Sequence, residues 1–351
     1  MKVRPVTRLF DRLGSSGCRL TPLGFGGAAI GNLYRRVSET DAHESVAAAW
    51  TAGVRYFDVA PHYGFGLAET RLSAALAQLD PGGEALISTK VGRVLEPIAA
   101  DQAQGERHGF VDAAAFEPRF DYSYDGVMRS LEGSLQRLGR DHIDILLAHD
   151  LGAATHAEDD AARWAQFMGG GYKAMLSLRD QGVVRAIGLG ANEAAICERA
   201  LDQGDFDVFL LAGRYTLLEQ GALDDFLPAC TQAGVSVIVG GPFNSGVLAC
   251  ATPAEDAHYN YAAPPAWVVD KVDALRAACT RFGVELPAAA LQFPIAHPAV
   301  VSVIPGAADA EEARLAAVRT AAPIPPDFWI SLHEQGLIAA EAPIPRVRRA
   351  A

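Results

Sequence analysis

The chain of 351 residues has few cysteines, no long apolar run and an excess of negative charge. Its five cysteines include no Cys-x-x-Cys pair, which argues against a structural zinc site and favours a reducing, cytoplasmic setting. No stretch of about 18 apolar residues is present, and the first residues lack the apolar segment of a signal peptide, so we expect neither a membrane-spanning helix nor export. The net charge of −12 disfavours nucleic acid and anionic membranes as partners.

The composition is that of a globular protein with ample material for a core. Half of the residues are hydrophobic and 21% are charged, a balance that excludes disorder as the main state. An allowance of about 150 residues per domain permits two domains, but a single α/β barrel with insertions reaches the same length. No linker or compositional break interrupts the sequence, so we predict one domain over residues 1–351.

Short apolar or β-branched runs alternate with longer helical patterns. The runs that predict strands cover residues 23–26, 54–58, 85–89, 143–148, 184–189, 208–211, 235–239 and 300–304. Helical patterns cover residues 38–52, 67–79, 126–138, 172–180, 193–201, 223–233, 268–282 and 310–318. We expect Asp125 to cap the third helix and Gly139 to end it. Because a helical crossover returns the chain to the same end of a sheet, these units predict parallel strands. Eight units favour a closed (β/α)8 TIM barrel over an open doubly wound sheet.

Three segments fall outside this alternation. Residues 3–20 are expected to form an N-terminal hairpin, and the proline-rich residues 321–351 a C-terminal tail. Residues 93–124 have little periodicity and would form a long loop at the C-terminal face of the barrel, where active sites lie. Four aromatic residues are expected either to line a substrate pocket or to pack the long loops: Phe110, Phe120, Trp164 and Phe167.

Polar side chains follow three consecutive predicted strands at the points where these strands end. Asp58 ends the second strand, with Tyr63 five residues later, while Lys90 ends the third strand and His149 the fourth. On a barrel these groups would meet at the catalytic face. A phenol titrates at about pH 10, so we expect the ammonium to lower the tyrosine pKa and the carboxylate to fix the lysine. With an imidazole to orient the substrate oxygen, the set suits proton transfer at a carbonyl or alcohol oxygen, with a nicotinamide cofactor as its complement.

Four segments carry a family resemblance through their order and spacing. They are Asp58-Val59-Ala60-Pro61-His62-Tyr63-Gly64 with Gly66 and Glu69, then Ser88-Thr89-Lys90, then the stretch from Ser134 to Asp144, and finally His149. Over most of its length the chain resembles the aldo-keto reductase superfamily, which implies a (β/α)8 barrel and NAD(P)-dependent oxidoreduction. The resemblance implies that Tyr63 is the general acid/base, that Asp58 and Lys90 tune it, and that His149 orients the substrate.

Further segments are similar to the bacterial aldose 1-dehydrogenase branch, which includes L-fucose and D-threo-aldose dehydrogenases. These segments are residues 120–126, 149–150, 188–193 and 240–246. The similarity implies oxidation of the C1 hydroxyl of an aldose such as L-fucose or D-arabinose to the lactone. Pyridoxal 4-dehydrogenase shares much of this pattern, so that activity, or general aldehyde and ketone reduction, is an alternative. A cofactor-binding regulatory subunit, which some members of the superfamily are, is a further alternative.

The same resemblance implies where NAD(P) would bind. The loop after the seventh strand would wrap the pyrophosphate, with Asn244 and Ser245 as donors to phosphate oxygens. Gly26 and Gly27 would lie under the nicotinamide ribose, Asn192 would bind the carboxamide, and Tyr215 would compensate for an absent glutamine. The loop residues are Gly241, Pro242, Phe243, Asn244, Ser245 and Gly246.

The adenosine end of the implied site predicts the choice of cofactor. Where NADP-preferring relatives carry a lysine and an arginine, this chain has Gly306 and Glu312. A 2′-phosphate would meet Asp309 and Glu312 without a cation, so we predict NAD, with NADP as the weaker alternative, and hence a preference for oxidation. The expected partner is a small sugar or aldehyde. No metal is expected, because the spacing of His149 and His156 matches no common zinc motif.

Overall fold

The structure, a computed structural model, describes residues 18–249, 259 and 263–345. Eight parallel strands form one sheet in the order of the chain. They are β1 (Phe25–Gly26), β2 (Tyr56–Asp58), β3 (Leu86–Val91), β4 (Ile143–His149), β5 (Val184–Ala191), β6 (Val208–Ala212), β7 (Ser236–Gly240) and β8 (Val300–Ile304). Leu23 pairs with Val303 and Gly26 with Gly306, so β8 closes back onto β1. The predicted (β/α)8 barrel is confirmed.

Helices connect the strands and pack on the outside of the barrel. Those that the sequence predicts are observed at Glu39–Thr51, Leu67–Leu79, Tyr124–Leu138, Tyr172–Asp180, Ala194–Gln203, Phe226–Ala233, Ala266–Phe282 and Ala310–Ala321. The predicted cap Asp125 is wrong. The third of these helices begins at Tyr124, and the Ser123 hydroxyl accepts a hydrogen bond from the backbone N–H of Gly126. A serine two residues earlier therefore caps the helix, and Asp125 lies in its first turn. Gly139 ends this helix in the left-handed conformation, as predicted.

Buried side chains form an inner and an outer layer. The inner layer fills the barrel and includes Tyr56, Ile145, Leu147, Ala186, Val208, Leu210, Ile238 and Ile304. Neighbouring strand residues such as Phe57 and Leu146 belong to the outer core with the helices. Because successive strand residues point to opposite faces and both faces are buried, the strands are almost continuously apolar. This is why they stand out in the sequence.

Several segments extend or correct the predicted arrangement. Residues 93–124 are ordered: Arg93–Pro97 pairs antiparallel with Phe116–Phe120, and Glu106–Arg107 with Phe110–Val111. Short helices after β4 cover Ala153–His156, Asp160–Gln166 and the π-helical Phe167–Gly171. Two further helices were not predicted. Leu286–Ile295 is almost wholly apolar and shows no periodicity, and Pro326–Glu334 lies within the expected tail.

The helix Pro326–Glu334 is part of the packed structure, since its Phe328 and Trp329 side chains are fully buried. Most of the predicted hairpin over residues 3–20 lies outside the described residues. Within the described part of the chain, no helix combines the length and apolarity needed to cross a bilayer.

Candidate active site

The carboxyl ends of β2, β3 and β4 bring the four predicted catalytic side chains into one cluster. The Lys90 ammonium donates hydrogen bonds to Asp58 Oδ2 at 2.7 Å and to the Tyr63 hydroxyl at 3.0 Å. It also donates to the carbonyl of Val59 at 3.0 Å. The Tyr63 and His149 rings meet edge to face, with their centroids 5.9 Å apart. The strand order therefore places a phenol, an ammonium, a carboxylate and an imidazole in one cluster, in which Lys90 contacts Asp58 and Tyr63, and Tyr63 contacts His149.

The carboxylate of Asp58 is held from both sides. While Oδ2 accepts from Lys90, Oδ1 accepts from the Ser88 hydroxyl at 2.6 Å. The hydroxyls of Ser88 and Tyr56 lie 2.8 Å apart, inside the barrel. Since Asp58 and Lys90 are each only 2% exposed, this pair would be costly without its full set of hydrogen bonds. The network fixes the ammonium under the Tyr63 hydroxyl.

The motif residue Glu69 supports the same strand end from the outside. Its fully buried carboxylate accepts a hydrogen bond from the Thr89 hydroxyl at 2.6 Å and another from Arg137 Nε at 2.6 Å. Thr89 precedes Lys90 on β3, so the two side chains point to opposite faces of the strand. Glu69 and Arg137 thus anchor the helices to the back of the strand that carries the ammonium.

The acidity of Tyr63 differs from the expectation. Burial raises the pKa of the Tyr63 phenol to about 12, although the Lys90 ammonium beside it acts in the opposite direction. The Lys90 ammonium acts on the tyrosine pKa in the predicted direction, but the loss of hydration outweighs its charge, so the net pKa is raised. Burial also acts to lower the pKa of Lys90, but Asp58 and Tyr63 overcome it and the pKa is raised. Tyr63 is a proton donor at neutral pH.

His149 is a buried, neutral imidazole. Burial, together with the Arg93 and Lys90 cations, holds its pKa well below the usual value. Its Nδ1 is buried and has no hydrogen-bond partner among the described residues. The Tyr122 hydroxyl donates to the His149 carbonyl at 2.6 Å and so fixes the end of β4. A neutral imidazole beside the Tyr63 ring is suited to orient a substrate oxygen.

A glycine-lined surface extends from the cluster toward the end of β8. The backbone N–H of Gly27 donates to the Asp58 carbonyl at 2.7 Å, and that of Gly26 to the Pro305 carbonyl at 2.9 Å. A Cβ atom on Gly27 would lie 2.8 Å from the Asp58 carbonyl oxygen, too close for any other residue. Gly26 also pairs with the exposed Gly306. The predicted positions Gly26, Gly27 and Gly306 are thus contiguous. They lie next to the cluster of Asp58, Tyr63, Lys90 and His149, which we call the tetrad.

The loop after β7 forms a tight turn over residues 241–246. Positive φ angles occur at Gly241 (55°), Asn244 (46°), Ser245 (58°) and Gly246 (101°). Such successive left-handed residues can point backbone N–H groups at an anion. Ser245 is exposed, while Pro242 is buried and Phe243 half-buried. Within the turn, the backbone N–H groups of Asn244 and Gly246 donate to the carbonyls of Gly241 and Phe243, each at 3.0 Å.

The side chain of Asn244 has another role than the predicted one. Its Oδ1 accepts from the Thr216 hydroxyl at 2.6 Å, and its Nδ2 donates to the Gly213 carbonyl at 2.9 Å. The side chain is buried and ties the turn to the loop after β6. The expectation that it donates to phosphate oxygens is therefore corrected, and only Ser245 and the backbone are available for this.

Two further cofactor assignments are affected by the packing. The Tyr215 ring is fully buried against Phe293 and His297, which belong to the outer shell of the barrel. It does not face the mouth, so its predicted compensating role does not fit. Asn192 is half-buried after β5, and its Nδ2 donates to Asp150 Oδ1 at 3.0 Å. It lies at the mouth, but its amide is already engaged with the residue that follows His149.

The segment that the sequence predicts to meet the adenosine end of a cofactor contacts a cation that the sequence did not reveal. Arg35 donates to Glu312 Oε1 at 2.9 Å and lies 3.6 Å from Asp309 Oδ2. The other oxygen of Glu312 accepts from the backbone N–H of Ala308 at 2.7 Å. The expectation that no cation is present is wrong, because Arg35 reaches this segment from the loop after β1. A sequence separation of 277 residues leaves no local signal for this contact.

A second charged pair that the sequence did not assign lies beside His149. Arg93 donates to Asp150 Oδ2 at 2.5 Å, and its guanidinium lies over the Phe120 ring, 4.4 Å from the centroid. His62, the neighbour of Tyr63, packs against the His149 ring with centroids 5.9 Å apart. The sequence indicates this pair only through the positions of the two residues: Asp150 directly follows His149, and Arg93 begins the segment after β3. Among the described residues, no group of His, Cys, Asp and Glu side chains is placed to hold a metal.

Comparison with known proteins gives a consistent result. The model of the aldo/keto reductase family matches residues 22–332. The chain is 41% identical to a pyridoxal 4-dehydrogenase from Microbacterium luteolum, covering 93% of this chain and 97% of that protein. It is 38% identical to a D-threo-aldose 1-dehydrogenase from a Pseudomonas species, covering 92% and 96%. An aldo-keto reductase from Bacillus halodurans, in its holo form, has a similar fold with a TM-score of 0.73 at 22% identity, covering 98% of this chain and all of that one.

Proposed function

Because this chain belongs to the aldo/keto reductase family, we propose that it is an NAD-dependent aldose 1-dehydrogenase. It oxidises the C1 hydroxyl of a cyclic aldose, such as L-fucose or D-arabinose, to the lactone. The observation that carries the proposal is the Lys90 ammonium, which contacts both Asp58 and the Tyr63 hydroxyl in a buried site. The relative named as a D-threo-aldose 1-dehydrogenase supports the sugar as substrate.

The residues of the site divide the work of oxidising a hemiacetal. A bound nicotinamide supplies the hydride acceptor. Tyr63, when deprotonated, takes the proton of the C1 hydroxyl, and Lys90 stabilises the phenolate through their 3.0 Å contact. Neutral His149, whose ring meets that of Tyr63 edge to face, orients the same substrate oxygen. In the reverse direction the Tyr63 phenol returns the proton to a carbonyl oxygen.

The surface next to the tetrad fits a dinucleotide. Gly26 and Gly27 form a floor without side chains, and the exposed Ser245 in the turn over residues 241–246 can donate to a diphosphate. At the adenosine end, Glu312 can accept a hydrogen bond from a ribose 2′-hydroxyl, as acidic residues do in other NAD sites. Arg35 is already paired with Glu312 and Asp309, so a 2′-phosphate would have to break this pairing. This favours NAD over NADP.

A second candidate is oxidation of pyridoxal, which is supported by the 41% identical relative named for that activity. Pyridoxal carries an aldehyde next to a hydroxymethyl group, and the two can close to a cyclic hemiacetal. Its oxidation would then yield a lactone by the same chemistry as for an aldose. The tetrad suits the oxidation of either substrate, so the side chains around it determine which substrate is bound.

The test is an absorbance assay at 340 nm with NAD or NADP against L-fucose, D-arabinose, L-galactose and pyridoxal. We expect turnover of at least one aldose with NAD, and a higher kcat/KM with NAD than with NADP. Tyr63→Phe should lower kcat by several orders of magnitude without loss of NAD binding, whereas Tyr124→Phe, which changes an exposed tyrosine, should not. Turnover of pyridoxal alone would support the second candidate. Near-native activity of Tyr63→Phe would refute both.

A further inference from the structure

We propose that the ion pair of Arg93 and Asp150 is a substrate-binding subsite for neutral, hydroxyl-rich groups, and that Asp150 excludes anionic aldehydes by neutralising Arg93. The inference rests on the proposed function in one respect: Tyr63 and His149 hold the reacting oxygen. The pair then contacts the part of the substrate next to the reacting carbon. It is a specificity determinant that the tetrad alone does not provide.

The position of the pair follows from its contacts with His149. His149 Nε2 lies 3.4 Å from Asp150 Oδ2, while the same ring meets Tyr63 on its other side. One imidazole therefore separates the Asp150 carboxylate from the phenol. Arg93 lies beside both Asp150 and the neighbour of Tyr63, since its Nη1 is 3.4 Å from both ring nitrogens of His62. A substrate oxygen at Tyr63 and His149 would place its neighbouring groups against the carboxylate and the guanidinium.

The ion pair of Arg93 and Asp150 would contribute little to stability if its role were only structural. Both side chains are only 13% exposed, and a partly buried ion pair gains little over apolar side chains of similar size. Arg93 Nε is buried and has no hydrogen-bond partner in the described part of the chain. Asp150 adopts a left-handed backbone conformation with φ of 53°, which is unfavourable for a residue with a side chain. Strain and incomplete hydrogen bonding at one mouth position are typical of functional sites.

The second oxygen of Asp150 is also fixed. Asn192 donates to Oδ1 at 3.0 Å, and the backbone N–H of Asp150 donates to the Gly190 carbonyl at 2.8 Å. The carboxylate is therefore held in place by β5 and by Arg93, on the wall formed by Phe120. Because each carboxylate oxygen has more than one lone pair, Asp150 can still accept from a substrate hydroxyl.

The charges of the pair determine the class of ligand. An isolated arginine at this mouth would attract carboxylates and phosphates, for which its guanidinium is well suited. Here Arg93 is already paired with a carboxylate at 2.5 Å, so an anionic substrate would meet the negative charge of Asp150. Neighbouring hydroxyls of a sugar suit the pair better, because they can donate to the carboxylate and accept from the guanidinium. The subsite thus selects uncharged polyols.

The experiment compares glyceraldehyde with glyceraldehyde 3-phosphate, in which an anionic phosphate ester replaces the neutral hydroxyl at the distal carbon. Binding is measured by isothermal titration and turnover by aldehyde reduction with NADH, for the wild type, Asp150→Asn and Arg93→Met/Asp150→Asn. Asp150→Asn leaves Arg93 uncompensated, so the ratio of phosphate to neutral ligand affinity should rise about tenfold to a hundredfold, the range for a hydrogen bond to a charged group. The double variant should lose this gain. Glu96→Gln, which unpairs Arg119 on the same hairpin, is the matched control and should leave the ratio unchanged.

An unchanged ratio in Asp150→Asn, or a gain that persists in the double variant, would overturn the proposal. So would a wild type that already binds the phosphate as tightly as the neutral aldehyde. Thermal melting of each variant separates a folding defect from a binding change. The result is independent of the proposed activity: if the wild type oxidises neither aldose nor pyridoxal, that function fails, whereas the binding ratio still decides the role of the pair.

Discussion

Replacing Lys90 by methionine should cost both stability and turnover, because one ammonium contacts the buried Asp58 carboxylate and the Tyr63 phenol. Its Nζ lies 2.7 Å from Asp58 Oδ2, and both side chains are 2% exposed. Removing one partner of such a buried pair costs about 3–5 kcal/mol, because the other charge stays buried without compensation. Asp58→Asn should cost a similar amount for the same reason. In the double variant no uncompensated charge remains, so its loss should be about 2–3 kcal/mol smaller than the sum of the two single losses.

The effect on turnover follows from the 3.0 Å contact between Lys90 Nζ and the Tyr63 hydroxyl. At this separation and an effective dielectric constant of about 20, attraction between the ammonium and a phenolate is worth roughly 5 kcal/mol. The Asp58 carboxylate offsets part of this, and we take about 3 kcal/mol as the net loss in Lys90→Met. The expected decrease in kcat is therefore about a hundredfold. The remaining oxidation activity should also require a higher pH.

The assay is urea unfolding of the wild type, both single variants and the double variant, together with the pH dependence of kcat for the wild type and Lys90→Met. Lys173→Met, at an exposed helical position, is the control for loss of one lysine. Strictly additive losses of stability would show that the two charges do not compensate each other. A normal kcat with an unchanged pH profile in Lys90→Met would refute the role of the ammonium.

Three further predictions concern the acidity of the site and the choice of cofactor. Burial raises the Tyr63 pKa to about 12, so oxidation, which needs the phenolate, should accelerate by up to roughly tenfold per pH unit, while reduction should not. The test is steady-state kcat in both directions from pH 6 to 10, and a flat profile for oxidation would contradict the prediction. Glu312→Gln should remove the nearer of the two acidic partners of Arg35, so that Arg35 can bind a 2′-phosphate and NADP binding improves about tenfold relative to NAD in isothermal titration. Glu311→Gln, which instead unpairs Arg314, should leave this ratio unchanged. Burial, and to a smaller extent the Arg93 cation, lowers the pKa of His62 to about 2. Below about pH 6.5 this imidazole takes up a proton in the unfolded chain but not in the folded one, so the free energy of unfolding should fall by up to roughly 1.4 kcal/mol per pH unit. In His62→Phe the melting temperature should fall less steeply between pH 7 and 4, and parallel curves would argue against a buried neutral histidine.

The architecture and the tetrad were predictable because both depend on short-range patterns. Apolar runs such as 143–148 and 300–304 mark strands that are buried on both faces, and the helices between them show local caps and stops. Once eight parallel strands close into a barrel, the order along the chain becomes the order around the rim. Asp58, Lys90 and His149, each at the end of a consecutive strand, must then be neighbours. Tyr63 follows because it lies five residues from Asp58.

Other features were beyond the sequence because they depend on contacts between distant segments. Arg35 meets Glu312 across 277 residues, and Arg93 meets Asp150 only after β3 and β4 are paired. The side chain of Asn244 turns inward to Thr216, although its position in the loop suggested a phosphate ligand. No local pattern encodes these directions.

The sequence by itself determined which strands form, in what order they stand around the barrel and which four side chains meet at its rim. Only the tertiary structure decided how those side chains behave. The pKa of Tyr63 is raised rather than lowered because the folded chain removes water from the phenol, and this loss exceeds the attraction of Lys90. Hydration and the pairing of distant charges depend on the three-dimensional surroundings of each group, whereas strand and helix patterns are set by neighbouring residues.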